Sequence, residues 1–67
     1  MNKFANRLNE LINNSGKPQK QICEELGIPE PKLSKWKNNH IEPDINDLIM
    51  LAKYFKVSID YLVGLED

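Results

Sequence analysis

The side chains able to do chemistry gather in the middle of the chain, in the run Gln19-Lys20-Gln21-Ile22-Cys23-Glu24-Glu25-Leu26-Gly27-Ile28 and its continuation Pro29-Glu30-Pro31-Lys32-Leu33-Ser34-Lys35-Trp36-Lys37-Asn38-Asn39. Ammonium groups, side-chain amides and a hydroxyl are hydrogen-bond donors of the kind that phosphate oxygens and base edges accept from. Apparatus for breaking bonds is missing: no acids cluster as a pair, no nucleophile stands beside a base, and no glycine-rich phosphate loop appears. The one cysteine, Cys23, and the one histidine, His40, are too few to ligate zinc. A binding protein is therefore expected and not an enzyme, with no metal and no cofactor.

Lysines at Lys32 and Lys35 stand three residues apart, so on a helix they share a face, while Leu33 and Trp36 share the opposite one. Such a helix presents its cations outward only if an apolar centre holds it from behind, and the rest of the chain must supply that centre. Phe4, Leu8, Leu11 and Ile12 follow the i, i+4, i+7, i+8 spacing of a first helix that stops at Gly16. A second helix runs from about Pro18, suited to a first turn by its preset φ, to Leu26, with Ile22, Cys23 and Leu26 inward. Gly27 frees the backbone for a sharp turn, Ile28 plugs the corner, and a third helix opens within Pro29-Glu30-Pro31 and fades into Asn38-Asn39.

Asp44 reads as the N-cap of a fourth helix with Asp47 in its first turn, where a negative charge complements the helix dipole. Its expected inward stripe is Leu48, Ile49, Leu51, Ala52 and Phe55. Ser58 caps a fifth helix, with Val57 before the cap and Leu62 four residues after it, the pattern of a hydrophobic staple, and Gly64 ends it. Nothing alternates with period two, so the expected class is all-α.

Sixty-seven residues make one domain, taken here as residues 1–67, which buries only about 60% of the surface its unfolded chain exposes and leaves little room for a substrate cavity. The net charge of -1 is unevenly spread: residues 17–40 carry five lysines against Glu24, Glu25 and Glu30, whereas residues 41–67 carry Lys53 and Lys56 against six acids. One face is thus suited to phosphates and the other avoids them. Lone Cys23 points to a reducing compartment. No apolar run approaches the ~20 residues of a membrane span and no signal peptide opens the chain, so a cytoplasmic location without membrane contact is expected.

From Arg7 to Gly64 the sequence resembles the Cro/repressor-type helix-turn-helix family, the XRE-like transcriptional regulators. The ordered landmarks are Arg7-Leu8 with Leu11, Gly16, Gln19, Leu26-Gly27-Ile28, Leu33-Ser34-Lys35-Trp36, Glu42-Pro43, Leu48 through Ala52, and Tyr54 through Gly64. The resemblance implies a five-helix, lambda-repressor-like DNA-binding domain whose second and third helices form the helix-turn-helix. It implies a sequence-specific transcriptional regulator of the phage or mobile-element kind, bound as a homodimer to a two-fold operator in double-stranded DNA. DNA contacts are then expected from Gln19, Lys20, Glu30, Pro31, Lys32, Ser34, Lys35, Asn38 and Asn39. Among these, Gln19 would bond a phosphate and brace the third helix, Glu30, Pro31 and Lys35 would face bases, and Lys32 and Asn38 would lie nearer the backbone. Trp36 and Cys23 are expected in the core. Tyr61, Leu62 and Leu65 are the expected dimer contact.

Three departures qualify this picture. The family's Arg near the end of helix one and its Glu late in the third helix are replaced by Ile12 and Lys37, which removes both halves of a pair and strands no charge. Pro18 and Pro29 stand where Thr and Ser caps are usual. Glu30 and Pro31 place a carboxylate and a residue without an N–H at the tip meant for the groove. The last departure keeps a second expectation open: an antitoxin or other protein-interaction module on the same fold, with weak DNA binding and a protein partner.

Overall fold

Each helix begins and ends for a local reason, and the computed structural model, which describes residues 3–66, shows where those reasons operate. Five helices follow in order: α1 (Phe4–Ser15), α2 (Gln19–Leu26), α3 (Glu30–Lys37), α4 (Ile45–Phe55) and α5 (Ile59–Val63). No strand occurs among the described residues. The all-helical class and the helix-turn-helix of α2 and α3 are as the sequence implied.

Two helices start on proline alone. Pro18 and Pro29 sit at the N-cap positions with extended ψ angles of 150° and 148° and no side-chain cap bond. Pro18 thus stands one place outside α2 and not in its first turn. Both keep the one service a cap carbonyl gives: the amides of Ile22 and Lys32 donate to the Pro18 and Pro29 carbonyls at 3.2 and 3.1 Å. The corner between α2 and α3 needs Gly27, which takes φ 73° as its amide and that of Ile28 return to carbonyls of the last turn of α2. Ile28 then packs against the core, as the residue after such a cap should.

α4 has the strongest start. Asp44 Oδ1 accepts from the Asp47 amide at 2.8 Å while Asp47 Oδ2 accepts from the Asp44 amide at 3.1 Å, a reciprocal capping box. In α5, Ser58 Oγ accepts from the Tyr61 amide at 2.9 Å. α4 ends at Lys56 in the left-handed region, φ 58°, where the sequence held no stop signal.

The helices close on Phe4, Leu8, Ile12, Ile22, Cys23, Leu33, Trp36, Leu51 and Leu62. α3 packs on α1 and α2, and α5 on α1 and α4. The edge of one aromatic ring meets the face of the other where Phe4 and Trp36 cross at 84° with centroids 6.4 Å apart. Arg7 is buried too. Its guanidinium lies 4.2 Å from the centre of the Tyr61 ring, and Nη1 donates to the Glu66 carbonyl at 3.1 Å, tying α1 to the chain beyond α5.

Two further expectations are corrected. Ile49 is 38% exposed and not part of the inward stripe of α4, because it lies one residue past Leu48 and is carried ~100° round the helix; Met50 and Tyr54 pack on the core instead. Leu62, expected at a dimer contact, has no exposed surface, since the short α5 has one inward face and Leu62 is its buried residue.

The outer corner of α2 is tied to α4 by a polar cluster. Glu25 accepts from the Tyr54 hydroxyl, from Gln21 Nε2 at 3.0 Å and from Lys17 Nζ at 2.9 Å. These donors, Tyr54 foremost, hold the Glu25 carboxyl down at about 2. A carboxylate whose folded value is lowered stabilises the fold above its unfolded value, and that stabilisation disappears as pH falls toward the folded one. Thermal melts of the wild type should therefore lose temperature between about pH 5 and about pH 2, and Tyr54→Phe should shrink the part of that loss due to Glu25. Identical pH slopes in the two proteins would show that the cluster is not formed in solution.

Candidate nucleic-acid interface

A helix can be offered to a groove only if its inner side is fully engaged. Leu33 and Trp36 of α3 have no exposed surface, and Phe4, Leu8, Ile22 and Cys23 are buried in the same cluster. The outer side carries Glu30, Pro31, Lys35, Asn38 and Asn39, all exposed, and Lys20 is exposed on α2. Pro31 costs the helix little, because amides in a first turn have no intrahelical partner. Asn39 also brings α3 to its end, taking φ 61° while the His40 amide returns to the Lys35 carbonyl at 2.9 Å.

The bracing of α3 runs through Gln19. Its Nε2 donates to Ser34 Oγ at 3.0 Å, and its Oε1 accepts from Lys37 Nζ at 2.7 Å. Asn9 Nδ2 adds a tie from α1, donating to the Lys37 carbonyl at 3.0 Å. Gln19 and Ser34 are half-buried between the two helices, so Ser34 faces the α2 junction and not the outer side of α3. Lys37, read from the sequence only as half of a missing ion pair, supplies a different link. Asn9 also went unnoticed, since its position in α1 carries no signal of what will lie across from it.

Lys32 departs furthest from expectation. It does not project freely with Lys35: its side chain, 39% exposed, is drawn aside, with the ammonium 5.3 Å from the centre of the Trp36 ring and 3.5 Å from Asp47 Oδ1. The fold brings Asp47, at the start of α4, within ion-pair distance of this lysine, a long-range meeting that the sequence does not reveal. Lys35 is left as the exposed lysine on this helix.

The inner residues behave as core. Trp36 Nε1 is buried without a hydrogen-bond partner among the described residues, so packing and not its polar atom holds the ring there. Cys23 is buried, and burial followed by the charge of Glu30 pushes its thiol pKa up, away from the reactive thiolate. His40 is exposed in the loop after α3. Among the described residues no group of three His, Cys, Asp or Glu is placed to hold a metal, and no helix is long and apolar enough to cross a membrane.

Known proteins are similar to this chain in sequence and fold. A family model described as helix-turn-helix matches residues 8–62. The chain is similar to the HTH-type transcriptional regulator ImmR of Bacillus subtilis, 34% identical over 64 residues that make up 96% of this chain and 50% of that protein. It is also similar to the HTH-type transcriptional activator BcrR of Enterococcus faecalis, 30% identical over 96% of this chain and 31% of that one. The crystal structure of a transcriptional regulator from Listeria innocua superposes with a TM-score of 0.87 at 36% identity, covering 100% of this chain and 63% of that one. The chain spans about half the length, or less, of these curated relatives.

If Gln19 braces α3, Gln19→Ala should cost about 1–2 kcal/mol in denaturant unfolding, since it removes a charge-assisted bond and a neutral one from a half-buried site. Amide exchange should accelerate in α3 more than in α1. Uniform acceleration across both helices would mean that Gln19 contributes to the fold only globally.

Proposed function

The chain belongs to the Cro/C1-type helix-turn-helix family, and from that premise we propose that it is a sequence-specific DNA-binding transcriptional regulator of the phage or mobile-element repressor and Cro kind. The observation that carries the reading is α3 itself: Leu33 and Trp36 wholly buried behind, Glu30, Pro31, Lys35 and Asn38 exposed in front. A helix so mounted fits a major groove about 12 Å wide. Lys35 reads a base, with guanine O6 or N7 as the chemically matched acceptors, and Glu30 accepts from a cytosine amino group. Lys20, Asn38 and Asn39 lie toward the backbone. Gln19, with Ser34 behind it, holds the angle of α3 and offers its remaining hydrogen-bonding capacity to a phosphate.

One such domain touches few base pairs, so the reading includes a homodimer on a two-fold operator, with half-sites about 34 Å apart. Leu65, 78% exposed, and the half-buried Tyr61 support a contact at the C-terminal end. Ile45, 73% exposed, and Ile59 are further exposed aliphatic residues on α4 and α5 that the sequence pattern did not single out. The acidic balance of residues 41–67, six acids against Lys53 and Lys56, favours the second reading, a protein-interaction module with weak DNA binding, because it suits this part of the chain poorly to phosphates.

Selection of bound duplexes from a random pool tests the first reading. Lys35→Ala should relax one position of the selected site by about 1–3 kcal/mol and leave the others sharp. Uniform weakening would demote Lys35 to a phosphate contact, and no enrichment by the wild type would remove the reading. Leu65→Glu should abolish cooperative binding to a two-fold site while leaving half-site binding within about twofold, whereas loss of a stoichiometric protein partner with unchanged DNA binding would favour the second reading.

A further inference from the structure

The Lys32–Asp47 contact joins the lysine-rich and acid-rich parts of the chain: a lysine of the helix offered to DNA meets a carboxylate from residues 41–67, at the start of α4. Three observations make it more than a chance surface pair. The Asp47 side chain is only 17% exposed and is fixed from its other oxygen, since Oδ2 accepts from the Asp44 amide in the capping box. The Lys32 side chain, 39% exposed, is engaged on a second side, with its ammonium 5.3 Å from the centre of the Trp36 ring. Asp47 Oδ1 thereby stands beside Lys32 where a phosphate oxygen would otherwise accept from it.

We propose that Asp47 is a positioning residue that occupies Lys32 in place of a DNA phosphate, so that Lys32 takes no part in the sequence-independent attraction to the duplex. The inference rests on the DNA-binding reading above. Its consequence is a domain whose backbone affinity is held low and whose discrimination falls to Lys35 and the residues at the tip of α3. A lysine that neutralises a phosphate releases counterions and steepens the salt dependence of log K by about 0.9 for each phosphate, and a lysine held by a carboxylate does not.

The test is the salt dependence of binding to random-sequence duplex for the wild type, Lys32→Ala, Asp47→Asn and the double variant. Asn at this position retains an oxygen for the Asp44 amide, and Asp47→Gln, a residue suited to a capping box, repeats the measurement should the first variant unfold. Lys32→Ala alone should leave the slope unchanged. Asp47→Asn should raise affinity at low salt about two- to fivefold and steepen the slope by about 0.9. Adding Lys32→Ala to Asp47→Asn should cancel that steepening, which a merely structural role of Asp47 would not produce. A slope already reduced by Lys32→Ala in the wild type, or a steepening that survives in the double variant, overturns the proposal. Absence of salt-dependent binding in every protein would instead overturn the DNA-binding reading itself.

Discussion

Burial of Leu33 and Trp36 is the constraint on which the rest depends. α3 is eight residues long, begins on one proline and carries another in its first turn, and has no side-chain cap. Isolated helices shorter than ~12 residues are marginal in water even with good caps. Removing a buried Trp costs ~3–5 kcal/mol, several times the ~1 kcal/mol that a missing cap forfeits, so packing and not local propensity keeps this segment helical. The same argument covers α2, which also starts on a proline and is held by Ile22 and Cys23.

Because α3 exists only through what lies behind it, its orientation is that of its supports. Gln19 reaches from α2 to Ser34 and Lys37, Asn9 reaches from α1 to the Lys37 carbonyl, and Phe4 meets the Trp36 ring. These supports approach α3 from two helices, so its tilt is over-determined even though each polar bond is worth only ~1 kcal/mol. Arg7 performs the corresponding service at the other end, beneath Tyr61 and bonded to the Glu66 carbonyl. A buried guanidinium is tolerated there because the aromatic face and the carbonyl replace part of its lost hydration.

Charge is arranged along the same lines. The lysines of residues 17–40 and the acids of residues 41–67 would be a simple division into two faces, but Asp47 at the start of α4 meets Lys32 of α3 at 3.5 Å. The outward charge of α3 is consequently smaller than its composition implies, with Lys37 turned to Gln19 and Lys32 to Asp47. Lys35 remains for the solvent side.

Helix number, the corner at Gly27-Ile28, the caps at Asp44 and Ser58, and the burial of Trp36 and Cys23 were legible in residue order alone, because turn geometry, capping and apolar periodicity act over a few neighbouring positions. The left-handed stop at Lys56 was not, since lysine has no preference for that conformation and takes it so that Val57 can turn back onto the core. Nor were the burial of Arg7, the exposure of Ile49, or the partners chosen by Lys32, Lys37 and Gln19. A one-dimensional pattern tells which side of a helix is apolar; which polar groups meet across helices follows from how the helices cross, and that is settled only when all five close on a common core.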